Sequence, residues 1–314
     1  FQAGAERLLE WQQPDGSWVI GYDHQTNEPV NADLQDFRPT FYGLMMAHRI
    51  LGDEKYLIAA KKGADWIVEN AVKPGHFVGV CGDVRFVNDF ATAQISQALL
   101  DLWEITGEDK YKTAAIETAK MYVFSIYAHP VPATHTREVR GKNLQGWQFT
   151  QAGLSFEHGG SIGSATGVGP ILLASHTGLF VRMAQLTGDP FFATLARSAA
   201  WGRDAFVNPE TSVASYYWGA MDRGAGNFPH HAWWQIGWLM DYLVSEADYR
   251  SKGQIRFPAG FMTAKVGPHK PYGFANGIVL GDSAMLVFHP EAVQGLPAST
   301  DWLMSKSTDG KRAY

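Results

Sequence analysis

Three short segments of the sequence repeat one pattern, and that pattern limits what the chain between them can fold into. They are Leu51-Gly52-Asp53-Glu54-Lys55-Tyr56, Thr106-Gly107-Glu108-Asp109-Lys110-Tyr111 and Thr187-Gly188-Asp189-Pro190-Phe191-Phe192. A glycine suits the left-handed position that closes a helix. The acid that follows suits the first turn of the next helix, and Pro190 suits its opening. Each segment is therefore predicted to be the tight turn of an αα-hairpin. The flanking helices differ in character. Those before the turns, predicted over 41–51, 91–106 and 170–187, are rich in Gly, Ala, Leu, Met and His and carry few charges. Those after the turns, over 55–70, 110–127 and 191–206, mostly carry a charged stripe, as at Lys61, Lys62, Asp65 and Glu69. The first set reads as buried inner helices and the second as an outer layer. A fourth inner helix fits 231–245, with Trp233, Trp234, Ile236, Leu239 and Leu243.

This alternation predicts a mainly α chain: an (α/α) toroid, or barrel, of helical hairpins. Long loops at roughly 71–88, 128–169 and 207–229 each join an outer helix to the next inner one, so all three fall on one face, opposite the tight turns. Long loops rich in Gly and aromatic residues are where a site is expected. The N-termini of the inner helices share that face, and their unpaired N–H groups favour an anion such as a carboxylate. After about residue 253 the pattern changes. The segment 277–288 and Asp301-Trp302-Leu303-Met304 read as strands around turns such as Asp309-Gly310. The expected division is 1–253 as the toroid and 254–314 as the start of a β-rich module. The chain opens at Phe1, without Met and already in a helical pattern, and closes at Tyr314 in a strand-like stretch, so it reads as a piece of a longer protein.

Composition narrows the partners. Lys and Arg total 26 against 31 Asp and Glu, a net charge of −5, which argues against nucleic acid. No apolar run approaches the ~18 residues of a membrane span. Cys81 is the single cysteine, which excludes an intrachain disulfide and a zinc–cysteine cluster. The aromatic content is high, with 11 Trp, 12 Tyr and 18 Phe. Such rings suit the C–H faces of sugars, although a helical core also uses them as filler.

The repeated turns, the entry Trp11-Gln12-x-x-Asp15-Gly16-Ser17-Trp18 and the helix start Asn88-Asp89-Phe90-Ala91 together resemble the six-hairpin (α/α) toroid enzymes that act on carbohydrates. The resemblance covers about residues 5–250. A toroid followed by a β module is similar to polysaccharide lyases acting on uronic-acid polymers, with a flavour of the rhamnose–glucuronate lyase type. Unsaturated glucuronyl hydrolases are similar in the toroid. The fold hosts many reactions, so likeness of architecture does not decide the chemistry.

A uronate lyase must neutralise the carboxylate, remove the C5 proton and protonate the leaving oxygen. The richest loop for this runs Ser215-Tyr216-Tyr217-Trp218-Gly219-Ala220-Met221-Asp222-Arg223-Gly224-Ala225-Gly226-Asn227-Phe228-Pro229-His230-His231. The expected roles are His230 or His231 as base, Tyr217 as acid, and Arg223 with Asn227 on the carboxylate, with Tyr216 and Trp218 as contacts. The alternative is that Tyr216 and His231 are core residues. Glu157 and His158 open a second, Gly-rich loop whose backbone a ligand can approach closely. Asn88 and Asp89 form a third group, in which Asp89 reads equally as a helix N-cap. Arg38 is set either to hold a uronate or to pair with Asp33 or Asp36. Trp18 and Trp147 are expected on the sugar-binding face, with His269 closing over it. His48 and His176 read as core histidines.

No cofactor is required by this chemistry. The segment 21–36 gathers Asp23, Asn27, Glu28, Asn31, Asp33 and Asp36, oxygen ligands of the kind calcium takes, without the spacing of an EF-hand loop. The competing readings are a glycoside hydrolase of the same fold, using Asp89 with Glu157 or Asp222, and a non-catalytic carbohydrate-binding protein. The stretch 8–18 also resembles the Gln-Trp motif of terpene cyclases, but it occurs once and without their acidic motif. An oligo- or polysaccharide substrate implies a periplasmic or secreted location, although no signal segment is visible.

Overall fold

The computed structural model describes residues 1–79, 88–128, 135–139, 141–146, 150–156, 172–206, 232–252, 254–256, 274–279, 282–288 and 303–307. The chain is mainly α. Its described helices are α1 (Gln2–Trp11), α2 (Phe41–Leu51), α3 (Glu54–Ile67), α4 (Phe90–Thr106), α5 (Asp109–Tyr122), α6 (Thr177–Thr187), α7 (Pro190–Gly202) and α8 (Ala232–Ser251). The pairs α2/α3, α4/α5 and α6/α7 pack as hairpins, α6 also packs on α8, and α1 lies against α2 and α3.

The three turns form as their sequences dictate. Gly52, Gly107 and Gly188 close α2, α4 and α6 at φ of +75°, +71° and +73°, a region that disfavours any residue with a Cβ. Asp53 and Asp189 then cap α3 and α7, accepting from the backbone N–H of Lys55 and Phe191. Glu108 is too long to cap its own helix, and its carboxylate instead meets Lys61 on α3 at 2.6 Å and Lys110 at 3.4 Å. Thr106 and Thr187 each receive the N–H two residues on and donate to the carbonyl four residues back.

Burial separates the layers. On α3 the buried side is Tyr56, Ala59, Ala60, Gly63, Ala64 and Ile67, a helical stripe of mostly small residues. On α5 it is Tyr111, Ala114, Ala115, Thr118, Ala119 and Tyr122. Opposite faces are charged, as an outer layer requires. By contrast, α4 is buried almost all round, from Phe90 to Leu102. Two joints lock neighbouring outer helices. Lys55 and Tyr56 both reach Glu6 on α1, at 2.8 and 2.5 Å. In the next copy Lys110 reaches Asp65 on α3 at 2.6 Å, and the buried Tyr111 ring sits under the Lys110 ammonium.

The structure departs from expectation in three places. The third inner helix begins at Thr177 rather than near 170, because Leu172 and Leu173 form strand β4, paired antiparallel with β3 (Ser155–Phe156). The outer helices end early in altered turns, a π turn over Val68–Val72 and 3₁₀ turns over Val123–Ser125 and Arg203–Phe206. The last helix runs on to Ser251. A small hairpin, β1 (Thr136–Val139) with β2 (Lys142–Gln145), lies in the connection after α5. Beyond α8 the chain forms one antiparallel sheet in the order β5 (Ile255–Arg256), β6 (Phe274–Val279), β7 (Asp282–Phe288) and β8 (Leu303–Ser307). The β6–β7 register places Gly277 opposite Ala284 and Val279 opposite Asp282.

Trp18 is a core residue, which corrects its placement on a sugar-binding face. It is 4 % exposed, and its indole N–H donates to the Leu8 carbonyl at 2.9 Å. Its ring sits where a Cβ on Gly63 would stand, only 2.5 Å from that position. Gly63→Ala is therefore expected to push the indole out of its seat and lower stability by about 1–3 kcal/mol. Urea denaturation checks this: the midpoint should fall at an unchanged slope. An unchanged midpoint would mean the ring is not seated there.

Candidate functional site

The heads of the inner helices α2, α4 and α6 carry three clusters of polar side chains, each fed by a segment arriving from an outer helix or from the chain entry. At α2 the anchor is Asp36, which is buried. Its Oδ1 accepts from the Arg38 backbone N–H at 3.0 Å and from Arg38 Nε at 2.7 Å. Its Oδ2 accepts from Arg38 Nη2 at 3.2 Å and from the Thr40 hydroxyl at 2.7 Å. Arg38 Nη2 also donates to the Ile20 carbonyl at 3.1 Å. The guanidinium is thus fixed by a two-point contact, yet its side chain stays 36 % exposed.

At α4, Asp89 is fully buried and caps the helix, accepting from the Ala91 N–H at 2.9 Å. Asn88 donates from Nδ2 to the Met121 carbonyl at 3.0 Å, tying the head of α4 to the end of α5. At α6, His176 is buried against Tyr122 and Phe180. Its Nε2 lies 2.8 Å from the Gly153 carbonyl and its Nδ1 lies 2.9 Å from the Tyr122 hydroxyl. Burial is the main cause that pushes His176 down to about 4, and burial likewise pushes the Tyr122 phenol up. His176 is the core histidine that was expected, and His48 is half-buried with Nδ1 3.2 Å from the Asp53 carbonyl.

The entry motif is structural. Asp15 accepts from the Ser17 N–H at 3.0 Å and from its hydroxyl at 2.7 Å. Gln12 donates to the carbonyls of Gly16 and Ala59, and Trp11 stacks on Tyr22 with centroids 4.1 Å apart. In the segment proposed for calcium, Asp23 turns inward to accept from the N–H groups of Gln25 and Thr26, and Asp36 is held by Arg38. Among the described residues, no group of three or more His, Cys, Asp or Glu side chains is placed to hold a metal. His230, His231, Tyr217, Arg223, Asn227, Trp147, Glu157, His158, Tyr216, Trp218 and His269 lie outside the described residues.

Sequence reasoning missed a buried polar knot between the inner helices. Arg182 on α6 donates from Nη1 to Asp241 on α8 at 2.9 Å and to Ser245 at 3.0 Å. Its Nε and Nη2 donate to Gln97 Oε1 on α4, at 3.2 and 2.5 Å. Gln97 in turn donates to Asp101 at 3.1 Å. Burial disfavours the Arg182 charge, but the Asp241 carboxylate outweighs it and the guanidinium is held more firmly protonated than usual. The signal was present: a single Arg in an otherwise apolar inner helix must find partners on its neighbours.

No protein-family model and no curated protein matches the chain. Among solved structures, one described as a polysaccharide lyase matches over 78% of this chain at 12% identity, with a TM-score of 0.37. The chain spans 40% of that structure's length. A likeness this remote carries no argument about activity.

Removing one partner of the knot leaves the other charge buried. Arg182→Met is expected to lower stability by about 3–5 kcal/mol, and adding Asp241→Leu should recover most of that loss. Chemical denaturation of the two single variants and the double variant measures this. Simple additivity of the two losses would mean the residues do not interact.

Proposed function

We propose that the chain is the helical part of a carbohydrate-active enzyme that cleaves a uronic-acid-containing glycan by β-elimination, and that its hairpins form part of an (α/α) toroid. The observation that carries this reading is the head of α2. There a buried carboxylate fixes an arginine that stays partly exposed, three residues before α2 begins. A fixed guanidinium suits a uronate carboxylate, because planar bidentate recognition gains most when the donor is already held.

In this reading Arg38, with Arg223 and Asn227, neutralises the carboxylate so that the C5 proton becomes acidic. His230 or His231 removes that proton and Tyr217 returns one to the leaving C4 oxygen, so the C4–O bond breaks as the C4–C5 double bond forms. The segment bearing these residues leads directly into α8, just as the segment bearing Arg38 leads into α2. No metal is needed for these steps. The competing hydrolase reading would draw on Asp89, whose Oδ1 caps α4 and whose side chain is buried. The division into a catalytic part over 1–253 and a β-rich part over 254–314 belongs to the same proposal, as does a periplasmic or secreted location suited to a polymeric substrate.

The test is incubation with uronate polymers and with their carboxyl-reduced forms, followed by ultraviolet absorbance of the unsaturated product. Absorbance should grow with the uronate form alone. His230→Ala and His231→Ala should between them abolish it, and Arg38→Ala should raise KM roughly tenfold through loss of a charge-assisted contact. Full turnover in both histidine variants would remove them from the chemistry, and no product from any uronate would sink elimination altogether.

A further inference from the structure

We infer that His176 is an acid-released latch that fastens the β3–β4 strand pair to the helical body. This latch is independent of the proposed reaction. His176 stands immediately before α6, three residues after β4, and Gly153 stands two residues before β3. The imidazole bridges these points. Its Nε2 is 2.8 Å from the Gly153 carbonyl, which can only accept, so that nitrogen carries the hydrogen. Its Nδ1 must then be the acceptor, and it takes the Tyr122 hydroxyl from α5 at 2.9 Å. One neutral ring in one tautomer therefore joins three parts of the chain: the end of α5, the head of α6 and the approach to β3. The Gly153 N–H donates back to the Tyr127 carbonyl, and the Tyr127 N–H donates to the Leu154 carbonyl, so the approach to β3 is bound to the segment that leaves α5.

The surroundings favour this neutral form. On α5 the facing group is the Tyr122 phenol; on α6 it is the Phe180 ring, with centroids 4.9 Å apart; before β3 it is an uncharged carbonyl. The carboxylate at the head of α4, Asp89, acts on Tyr122. The positive end of α6 begins at the very next residue, Thr177, and adds to the penalty on a cation. A proton arriving at Nδ1 turns an acceptor into a donor. The Tyr122 hydroxyl must then turn its own hydrogen away from the ring, and a charge is left in a buried site.

The sign follows from the direction of the shift. The latched ring titrates near about 4, against 6.5 for a free one. The unlatched state thus binds the proton more tightly, and the latch weakens as pH falls through that interval. Between about pH 7 and about pH 5 the closed-to-open ratio should drop roughly twentyfold.

Native-state hydrogen exchange of the whole chain tests this. Protection of the amides of Gly153, Ser155 and Leu173 should fall by roughly that factor between about pH 7 and about pH 5, while amides within α3 and α4 keep theirs. His176→Gln retains a side-chain donor but cannot take up the proton, and it should remove the pH dependence. A wild-type strand pair with the same profile as the helices, or a variant that keeps the wild-type drop, overturns the latch. If the variant does not fold, the ring itself is read in the wild-type protein by nitrogen NMR. An Nε2–H tautomer titrating well below 6 supports the latch. A ring protonated on Nδ1, or one titrating at the ordinary histidine value, overturns it.

Discussion

The arrangement of the inner layer depends on Arg182. Helical hairpins whose buried faces are mostly small residues, as on α3, α5 and α7, pack closely but with little to choose between neighbouring depths and rotations. A guanidinium in the middle of α6 removes that freedom. It requires Gln97 from α4 and Asp241 with Ser245 from α8 at the same time, so one residue sets the register of three inner helices. Gly178, one turn earlier on α6, makes room for this: a Cβ there would strike the Asp241 carboxylate. A buried ion pair is worth little against apolar residues of the same shape, yet leaving half of one buried is expensive. The knot therefore acts mainly by making every misregistered stack unfavourable.

The outer layer is joined by a different device, and it is not repeated evenly. In two hairpins the Lys-Tyr pair just after the turn reaches the acid of the preceding outer helix, Glu6 for Lys55 and Tyr56, and Asp65 for Lys110. The third hairpin has Phe191 and Phe192 in those positions, and Phe192 is buried against Phe180 instead. The ion pairs are solvent-exposed and individually weak. Their use is to align α1, α3 and α5 side by side. The third hairpin relies on the aromatic cluster of Tyr122, His176, Phe180 and Phe192 and on the bond from Ser198 to the Ala152 carbonyl. Arg197 on α7 also pairs with Glu246 on α8 at 2.9 Å, which ties this hairpin to the last helix.

What the sequence revealed divides along physical lines. The turns were legible because a left-handed glycine followed by a capping acid has few other uses, and the layers were legible because charge stripes alternate with apolar helices. The start of α6 was not, since Leu172 and Leu173 suit a helix as well as a strand, and only their pairing with Ser155 and Phe156 decides it. Trp18 misled for a similar reason: an indole beside a turn reads as a sugar platform until the gap left by Gly63 is known. Asp89 and Arg38 were each read with two alternatives, and in both the intramolecular partner is present, the α4 N-terminus for one and Asp36 for the other. For Asp89 the cap engages Oδ1 and the side chain is fully buried. For Arg38 the side chain stays partly exposed, and only Nε and Nη2 are engaged.

That difference decides how Arg38 would act on an anion. The carboxylate beside it cancels most of its field at a distance, so it is poorly suited to steering a charged polymer from solution. The same carboxylate removes the rotamer freedom an exposed arginine would lose on binding, about 2 kcal/mol for such a side chain. A ligand meeting this guanidinium gains at contact rather than on approach. Its affinity through Arg38 should then depend on the position of one carboxylate against the fixed fork far more than on the polymer's overall charge density.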